Sequence, residues 1–133
     1  MITAVDTSVL ISIAKGERDA STWTNLLVDA QLDGEVIICD IVAAEYFAIV
    51  MDEEKFQASL DCLGIVFSPT SRESAQLAGR LFREYRRLGG PREHLIPDFL
   101  IGAHAQVQAD RIAAIDRGYL RGCFPGLKIM KPD

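Results

Sequence analysis

Four acidic residues occupy positions from which their side chains could share one cation. Asp6 directly follows the apolar run ITAV, and Asp116 directly follows RIAAI. Asp98 stands at the start of the segment DFLIGAHA, and Glu45 lies in the middle of IVAAEYFAIVM. Carboxylates that converge repel one another unless a cation offsets their charge, and a ligand set made only of oxygens favours Mg²⁺ or Mn²⁺ over zinc. The four acids therefore predict a metal site.

Glu45 is the acid that favours this prediction most. Its neighbours in IVAAEYFAIVM are all apolar or aromatic, so we expect a core helix from which Glu45 faces inward. Burying an unpaired carboxylate costs several kcal/mol, which is comparable with the net free energy of unfolding of a whole domain. Asp6, Asp98 and Asp116 have alternative structural roles, in capping a helix, complementing a helix N-terminus or opening a turn. Glu45 has no such role in the middle of a helix.

The chemistry that such a site favours is hydrolysis of a phosphodiester. A carboxylate-held Mg²⁺ lowers the pKa of a bound water and polarises the phosphoryl oxygen under attack. The two histidines, His94 and His104, are poorly placed to act as a general base, since His104 lies inside a helical segment and is expected to be a packed structural residue. Metal-activated water is the favoured nucleophile.

The elements that must position these acids alternate along the chain. Short runs rich in apolar and β-branched residues predict buried strands at ITAV (2 to 5), VIIC (36 to 39), IVF (65 to 67), RIAAI (111 to 115) and LKIM (127 to 130). Helical spacing is found in SVLISIAK, in residues 20 to 31, in IVAAEYFAIVM followed by EEKFQASLDCL, in SAQLAGRLFREYRRL and in PDFLIGAHAQVQ. The predicted order is β-α-α-β-α-α-β-α-α-β-β. Strands joined by helical crossovers form a mainly parallel sheet with helices on both faces, and its ligand site lies at the carboxyl ends of the strands.

Composition limits the class of protein. The chain has 133 residues, 49% of them hydrophobic, which suits a single domain over residues 1–133. No basic leader precedes an apolar run and no run is long enough to span a membrane, so we expect a soluble, unexported, cytoplasmic protein. Its three scattered cysteines, Cys39, Cys62 and Cys123, predict buried reduced thiols rather than disulfides or a zinc site.

Four stretches together resemble the PIN domain of VapC-type toxins. They are VDTSVL, the AAEYF segment around Glu45, IPDFLIGAHA and AIDRGYLRGCFPGLKIMKP, and they span nearly the whole chain in the family's order. The resemblance implies a PIN-like three-layer α/β/α fold with a central, mainly parallel five-stranded sheet. It further implies an Mg²⁺- or Mn²⁺-dependent endoribonuclease of a toxin-antitoxin pair, which leaves 5′-phosphate ends, binds a cognate antitoxin and forms a homodimer.

The resemblance also assigns roles to individual residues. Asp6, Glu45, Asp98 and Asp116 correspond to the family's acidic quartet, which holds the metal, and Ser8 corresponds to a supporting hydroxyl near the first acid. The family commonly has Thr or Ser two residues before its last acid, and this chain has Ala114 there.

A net charge of −5 is unusual for a nucleic-acid-binding protein. Four of these charges belong to the four acids, so the rest of the chain is nearly neutral. On the predicted helix from 71 to 88, Arg72, Arg80, Arg83 and Arg87 fall on one stripe. With Arg92, His94, Arg117 and Arg121, they form a candidate basic rim for RNA phosphates or for an acidic segment of an antitoxin. The alternative is a solvated helix face.

The sequence also allows a second interpretation of the whole chain. A PIN fold could bind RNA or a protein partner without cutting, and Ala114 is the one feature that favours this reading. All four acids are present, which favours catalysis.

Overall fold

The computed structural model describes residues 1–92, 94–115 and 118–132. The described residues form five strands: β1 (Ile2–Val5), β2 (Glu35–Ile38), β3 (Ile65–Phe67), β4 (Arg111–Ala113) and β5 (Lys128–Met130). They also form seven helices: α1 (Thr7–Ala14), α2 (Ala20–Asp33), α3 (Asp40–Val50), α4 (Glu53–Leu63), α5 (Arg72–Arg87), α6 (Ile96–Gln108) and α7 (Tyr119–Cys123).

The strands form one sheet in which every pairing is parallel, in the order β3-β2-β1-β4-β5. β1 lies at the centre, where Thr3 is in register with Val36 of β2 and Arg111 of β4. From β1, the chain adds β2 and β3 on one side of the sheet, and it then adds β4 and β5 on the other side. The direction therefore reverses between β1 and β4, and in sheets of this kind the ligand crevice lies at the carboxyl ends of such a strand pair.

Helices cover both faces of the sheet, which confirms the predicted PIN-like α/β/α architecture. Parallel crossovers are right-handed, so the reversal after β3 places α5 and α6 on the opposite face from α1 to α4. α1 packs against α2 and α3, while α5 packs against α6. A Cβ at Gly102 of α6 would come within 2.4 Å of the Phe124 ring, so the glycine allows the chain after α7 to pack closely on α6.

The hydrophobic core is a cluster of buried side chains from the sheet and both helical layers. Its largest fully buried members include Trp23 and Leu27 from α2, Phe99 from α6, and Phe124. The cysteines of this fold are free thiols. The prediction that they are buried is correct for Cys39 but wrong for Cys62, which is exposed on α4. Among the described residues, no helix is both long and apolar enough to cross a membrane.

The predicted element order misses one helix. α7 lies between β4 and β5, and its five residues are too few to show a helical repeat in the sequence. The long apolar segment after β2 is interrupted where Met51 adopts a left-handed conformation (φ 50°) and Asp52 caps α4 by accepting a hydrogen bond from the backbone N–H of Lys55. The predicted strand RIAAI ends at Ala113, which leaves Ala114 and Ile115 to lead away from the sheet.

Candidate active site

Asp6 lies at the carboxyl end of the central strand. Its backbone N–H donates to the carbonyl of Ala113 (2.9 Å), so β1 and β4 are joined where both strands end. Its carboxylate caps α1 by accepting from the backbone N–H of Ser8 (3.2 Å), which is the structural role considered for it above. Burial raises the pKa of the Asp6 carboxyl, and the nearby charge of Asp98 raises it further, whereas the bonds from Ser8 lower it.

Ser8 connects the two strand ends at this acid. Its hydroxyl donates to the Asp6 carboxylate and accepts from the backbone N–H of Ile115 (3.2 Å). The first residues beyond β4 are thereby held against the start of α1. This arrangement is consistent with the supporting role that the resemblance implies for Ser8.

Asp98 approaches from the opposite helical layer, in the first turn of α6. Its carboxylate accepts from the backbone N–H of Leu95 (3.2 Å), and the Nδ1 atom of His94 lies 3.7 Å from the same oxygen. Carboxylates are favourable at a helix N-terminus because the backbone N–H groups there carry partial positive charge. The effect of Asp98 on the pKa of Asp6 shows that the two carboxylates are close enough to repel each other.

Glu45 is not buried, which corrects the prediction that it faces inward from a core helix. Only Val42 and Tyr46 of α3 are buried, and Glu45 is exposed beside Tyr46. α3 is apolar on almost every side, so its sequence carries no signal for which face packs inward. The Glu45 carboxylate instead accepts a hydrogen bond from the hydroxyl of buried Thr7 (2.6 Å), the residue next to Asp6.

Thr7 is a site residue that the sequence reading missed. It attaches Glu45 of α3 to the first turn of α1, directly beside the first acid. The signal was present in the stretch DTS, where two hydroxyl side chains follow Asp6. The structure uses both: Ser8 binds Asp6, and Thr7 binds Glu45.

The fourth acid, Asp116, and the basic residue Arg117 lie outside the described residues. Ala114, two positions before Asp116, is buried, and its backbone N–H donates to the carbonyl of Met130 (3.4 Å). Residues 1–92, 94–115 and 118–132 contain no group of three or more His, Cys, Asp or Glu side chains able to hold a metal. Of the four acids, the structure therefore describes the pair Asp6 and Asp98, and it connects Glu45 to Asp6 through the hydrogen bond from the neighbouring Thr7.

The chemistry of this pair fits a hard divalent cation. Burial and the charge of Asp98 both raise the pKa of the Asp6 carboxyl, so ionised Asp6 is less favourable without a cation. The donor atoms are all oxygens, and Mg²⁺ prefers one or two carboxylates together with water. Asp6 and Asp98 are therefore the residues that would hold the ion.

The predicted basic residues lie on the surface. Arg72, Arg80, Arg83, Arg87, Arg92 and Arg121 are all exposed. Arg87 forms an ion pair with Glu84 of the same helix at 2.8 Å, which offsets its charge. The stripe on α5 is therefore accessible from solvent, and Arg80, Arg83 and Arg92 are the described candidates for holding phosphates.

His104 is a structural residue, as predicted. It is 1% exposed, and its Nε2 atom makes a hydrogen bond with the hydroxyl of Ser68 (3.2 Å). Burial lowers the pKa of its imidazole, which favours the neutral form. It is therefore packed between α6 and the end of β3, away from the acids.

Comparison with known proteins identifies the family. The model of the PIN domain family matches residues 3–124, so this chain belongs to that family. No curated protein sequence matches the chain significantly.

Several solved structures share the fold over nearly the whole chain. A chain of VapBC2 from Rickettsia felis, bound to a DNA fragment from its promoter, is 21% identical with a TM-score of 0.73, and the match covers 100% of both chains. A chain of VapBC-1 from nontypeable Haemophilus influenzae is 14% identical with a TM-score of 0.73 over 98% of both chains. A chain of FitAcB from Neisseria gonorrhoeae is 19% identical with a TM-score of 0.65 over 99% of this chain and 98% of that one.

Proposed function

We propose that this protein is a metal-dependent endoribonuclease and the toxin of a toxin-antitoxin pair. The observation that carries the proposal is the placement of Asp6 and Asp98, from opposite helical layers, at the carboxyl ends of β1 and β4 in a PIN fold. This is where an open parallel sheet binds its ligand, and burial together with the charge of Asp98 disfavours the ionised form of Asp6 there.

The residues of the candidate site have separate roles in the proposed reaction. Asp6 and Asp98 hold Mg²⁺ or Mn²⁺, and Glu45 and Asp116 complete the acidic quartet. Such an ion, when bound, supplies Lewis-acid activation of water and of the phosphodiester. Ser8 holds the Asp6 carboxylate in place through its hydroxyl, and Thr7 does the same for Glu45. Arg80, Arg83 and Arg92 offer positive charge to the RNA backbone outside the acidic centre.

The proposed partners follow from the same comparisons. The similar solved structures include VapBC and toxin-antitoxin complexes. We infer a cognate antitoxin for this chain, bound over the basic residues and the acids, and a homodimer as its assembled form. Cytoplasmic location belongs to this proposal, because RNA and an antitoxin made in the same cell are found there.

Expression in bacterial cells tests the function. Induction of the wild-type chain should arrest growth and create new RNA 5′ ends that carry a phosphate, because attack by water releases the 3′ oxygen and leaves the phosphate on the downstream fragment. The Asp6→Asn, Asp98→Asn double variant at equal abundance is the matched control and should create none. Equal RNA ends in both strains, with RNA still bound by the wild-type chain, would instead assign a binding role without cleavage.

A further inference from the structure

A groove beside the acids contains three rings. It has a volume of about 700 Å³ and lies between the C-terminal half of α5, the turn at 89–91 and α7. Tyr85, His94 and Tyr119 line it, together with apolar side chains that include Leu81 and Leu88. We call it the aromatic groove. Its volume is within the range of about 300–1,000 Å³ that is usual for small-ligand sites.

The rings of the aromatic groove are arranged in a stack. The rings of His94 and Tyr119 are 4.6 Å apart between centroids, with 29° between their planes, and Tyr85 meets His94 edge-on at 6.1 Å. All three are half-buried, so they form the surface layer above the core ring of Phe99, which lies 5.2 Å from Tyr85. The cluster lines an open groove, so its rings can be reached by a ligand.

The groove is held in shape by its own turn. The Tyr85 hydroxyl donates to the carbonyl of Pro91 (2.7 Å), which ties α5 to the far side of the turn. A Cβ at Gly90 would come within 2.6 Å of the Tyr85 ring, so glycine is needed for the backbone to pass this close. The rings are therefore pre-positioned, which lowers the entropy cost of binding a flat ligand.

The groove adjoins the proposed catalytic centre. His94 belongs to both, since its ring stacks on Tyr119 while its Nδ1 atom lies 3.7 Å from the Asp98 carboxylate. A phosphodiester held at Asp6 and Asp98 therefore places one neighbouring nucleoside at the mouth of the groove. Exposed Arg92, two residues before His94, is available to the adjoining phosphate.

We propose that the aromatic groove is a stacking subsite for one unpaired nucleobase of the RNA, next to the scissile phosphate. The inference rests on the proposed nuclease function and adds to it a subsite beside the acids that binds one base. Nucleobases stack on aromatic side chains in a way that tolerates any base, because every base has a π-face. Unpaired RNA also exposes the base faces that a duplex hides.

A fluorescent base tests the stacking directly. Single-stranded RNA hexamers carrying one 2-aminopurine, moved position by position, are mixed with the wild-type protein and Mg²⁺ by stopped flow, so that binding is read before the RNA is cut. One position should be quenched on binding. His94→Ala and Tyr119→Leu should abolish that quenching and weaken binding about tenfold, whereas His94→Phe and Tyr119→Phe, which keep the rings, should preserve it. Phe67→Leu, at a 54% exposed ring on the edge strand β3, is the matched control and should change nothing.

A second measurement changes the RNA as well as the protein. In cleavage assays with Mg²⁺, replacing the quenched nucleotide by an abasic one should lower kcat/KM about tenfold for the wild-type protein, and the same change two nucleotides away should not. An abasic effect of equal size in His94→Ala would overturn the proposal, as would quenching that survives in both ring-less variants. Ring-less variants that bind RNA normally but fail to bind a purified antitoxin would assign the groove to that protein instead.

The two proposals fail in different ways. A protein that quenches the base but never cuts RNA keeps the subsite and loses the nuclease function. A protein that cuts abasic and intact RNA equally well keeps the nuclease function and loses the subsite.

Discussion

At the scale of single residues, the acids combine structural and chemical roles. Asp6 caps α1 and Asp98 accepts a hydrogen bond at the start of α6, so each position would suit an acid even in a protein without a metal. A capping role does not explain why the two acids lie close together. Burial raises the pKa of Asp6, and the charge of Asp98 raises it further. The buried-acid argument that the sequence attached to Glu45 therefore applies to Asp6 instead.

The first prediction concerns the pH dependence of the metal-free fold. Because the native pKa of Asp6 is raised, the folded state keeps a proton that the unfolded chain releases near pH 3.9. The free energy of unfolding should therefore fall as the pH rises from about 3.9 through the native pKa of Asp6. Asp6→Asn should reduce this fall, measured by urea unfolding in EDTA between pH 4 and 7.

The control for this prediction lies at the other end of the same strand. The Asp110 carboxylate accepts from the backbone N–H of Ile2 (2.6 Å) at the amino end of β1. Asp110→Asn removes this carboxylate and should leave the stabilisation by Mg²⁺ as it is in the wild-type protein. Mg²⁺ should stabilise the wild-type protein most at the upper pH, because it binds the ionised native site. A wild-type stability that rises steadily from pH 4 to 7 without metal would contradict the account of Asp6.

The second prediction concerns Asp98. Asp98→Asn keeps an oxygen that can accept from the Leu95 N–H, but it removes the charge that would hold the metal. We expect a normal melting temperature and a loss of RNA cleavage of at least about a hundredfold, which corresponds to about 2.7 kcal/mol of transition-state stabilisation. Asp52→Asn removes a carboxylate from the start of α4 in the same way and should keep full activity. Near-normal cleavage by folded Asp98→Asn would refute its assignment as a ligand.

At the scale of elements, most of the fold could be predicted. β1 and β3 match their predicted ranges because short runs rich in β-branched residues favour an extended backbone. The prediction that both strands are buried is correct for most of β1 but wrong for β3, an edge strand on which Val66 and Phe67 are exposed. α7 could not be predicted, since five residues carry no period. The orientation of α3 could not be predicted either: exposed apolar residues such as Ile49 give every face of the helix the composition of a buried face.

The candidate site could likewise be predicted only in part. The positions of Asp6 and Asp98 follow from strand and helix ends that the sequence marks clearly. The attachment of Glu45 to Thr7 depends on how α1 packs against α3, and no local pattern encodes that packing.

The third prediction tests this contact between α1 and α3. Thr7→Val keeps the shape of the side chain and removes the hydroxyl that donates to Glu45 (2.6 Å). We expect the free energy of unfolding to fall by about 1 kcal/mol and cleavage to fall about tenfold, because Glu45 is no longer held beside the first acid. Thr7→Ser should retain both properties. Thr24→Val, which removes a hydroxyl bond to the Ala20 carbonyl within α2, is the control and should leave cleavage unchanged. Full activity in Thr7→Val would place Glu45 outside the site.

At the scale of the whole molecule, the acidic balance and the proposed RNA binding are compatible. Much of the net charge of −5 comes from the acids of the site, where a divalent cation offsets it. Arg80, Arg83 and Arg92 carry exposed positive charge elsewhere on the surface. RNA affinity should therefore depend on the divalent ion as well as on salt, and it should weaken as salt rises because phosphate contacts are screened.

The measurement that tests the central claim most directly is cleavage of single-stranded RNA by the purified protein with and without metal. We predict cleavage in Mg²⁺ or Mn²⁺, none in EDTA, and recovery when excess Mg²⁺ is restored to the same sample, because Asp6 and Asp98 offer only oxygen ligands. Asp98→Asn, purified in parallel, detects any contaminating nuclease and should stay inactive throughout. Undiminished cleavage in EDTA by the wild-type protein, absent from Asp98→Asn, would contradict a metal-dependent mechanism.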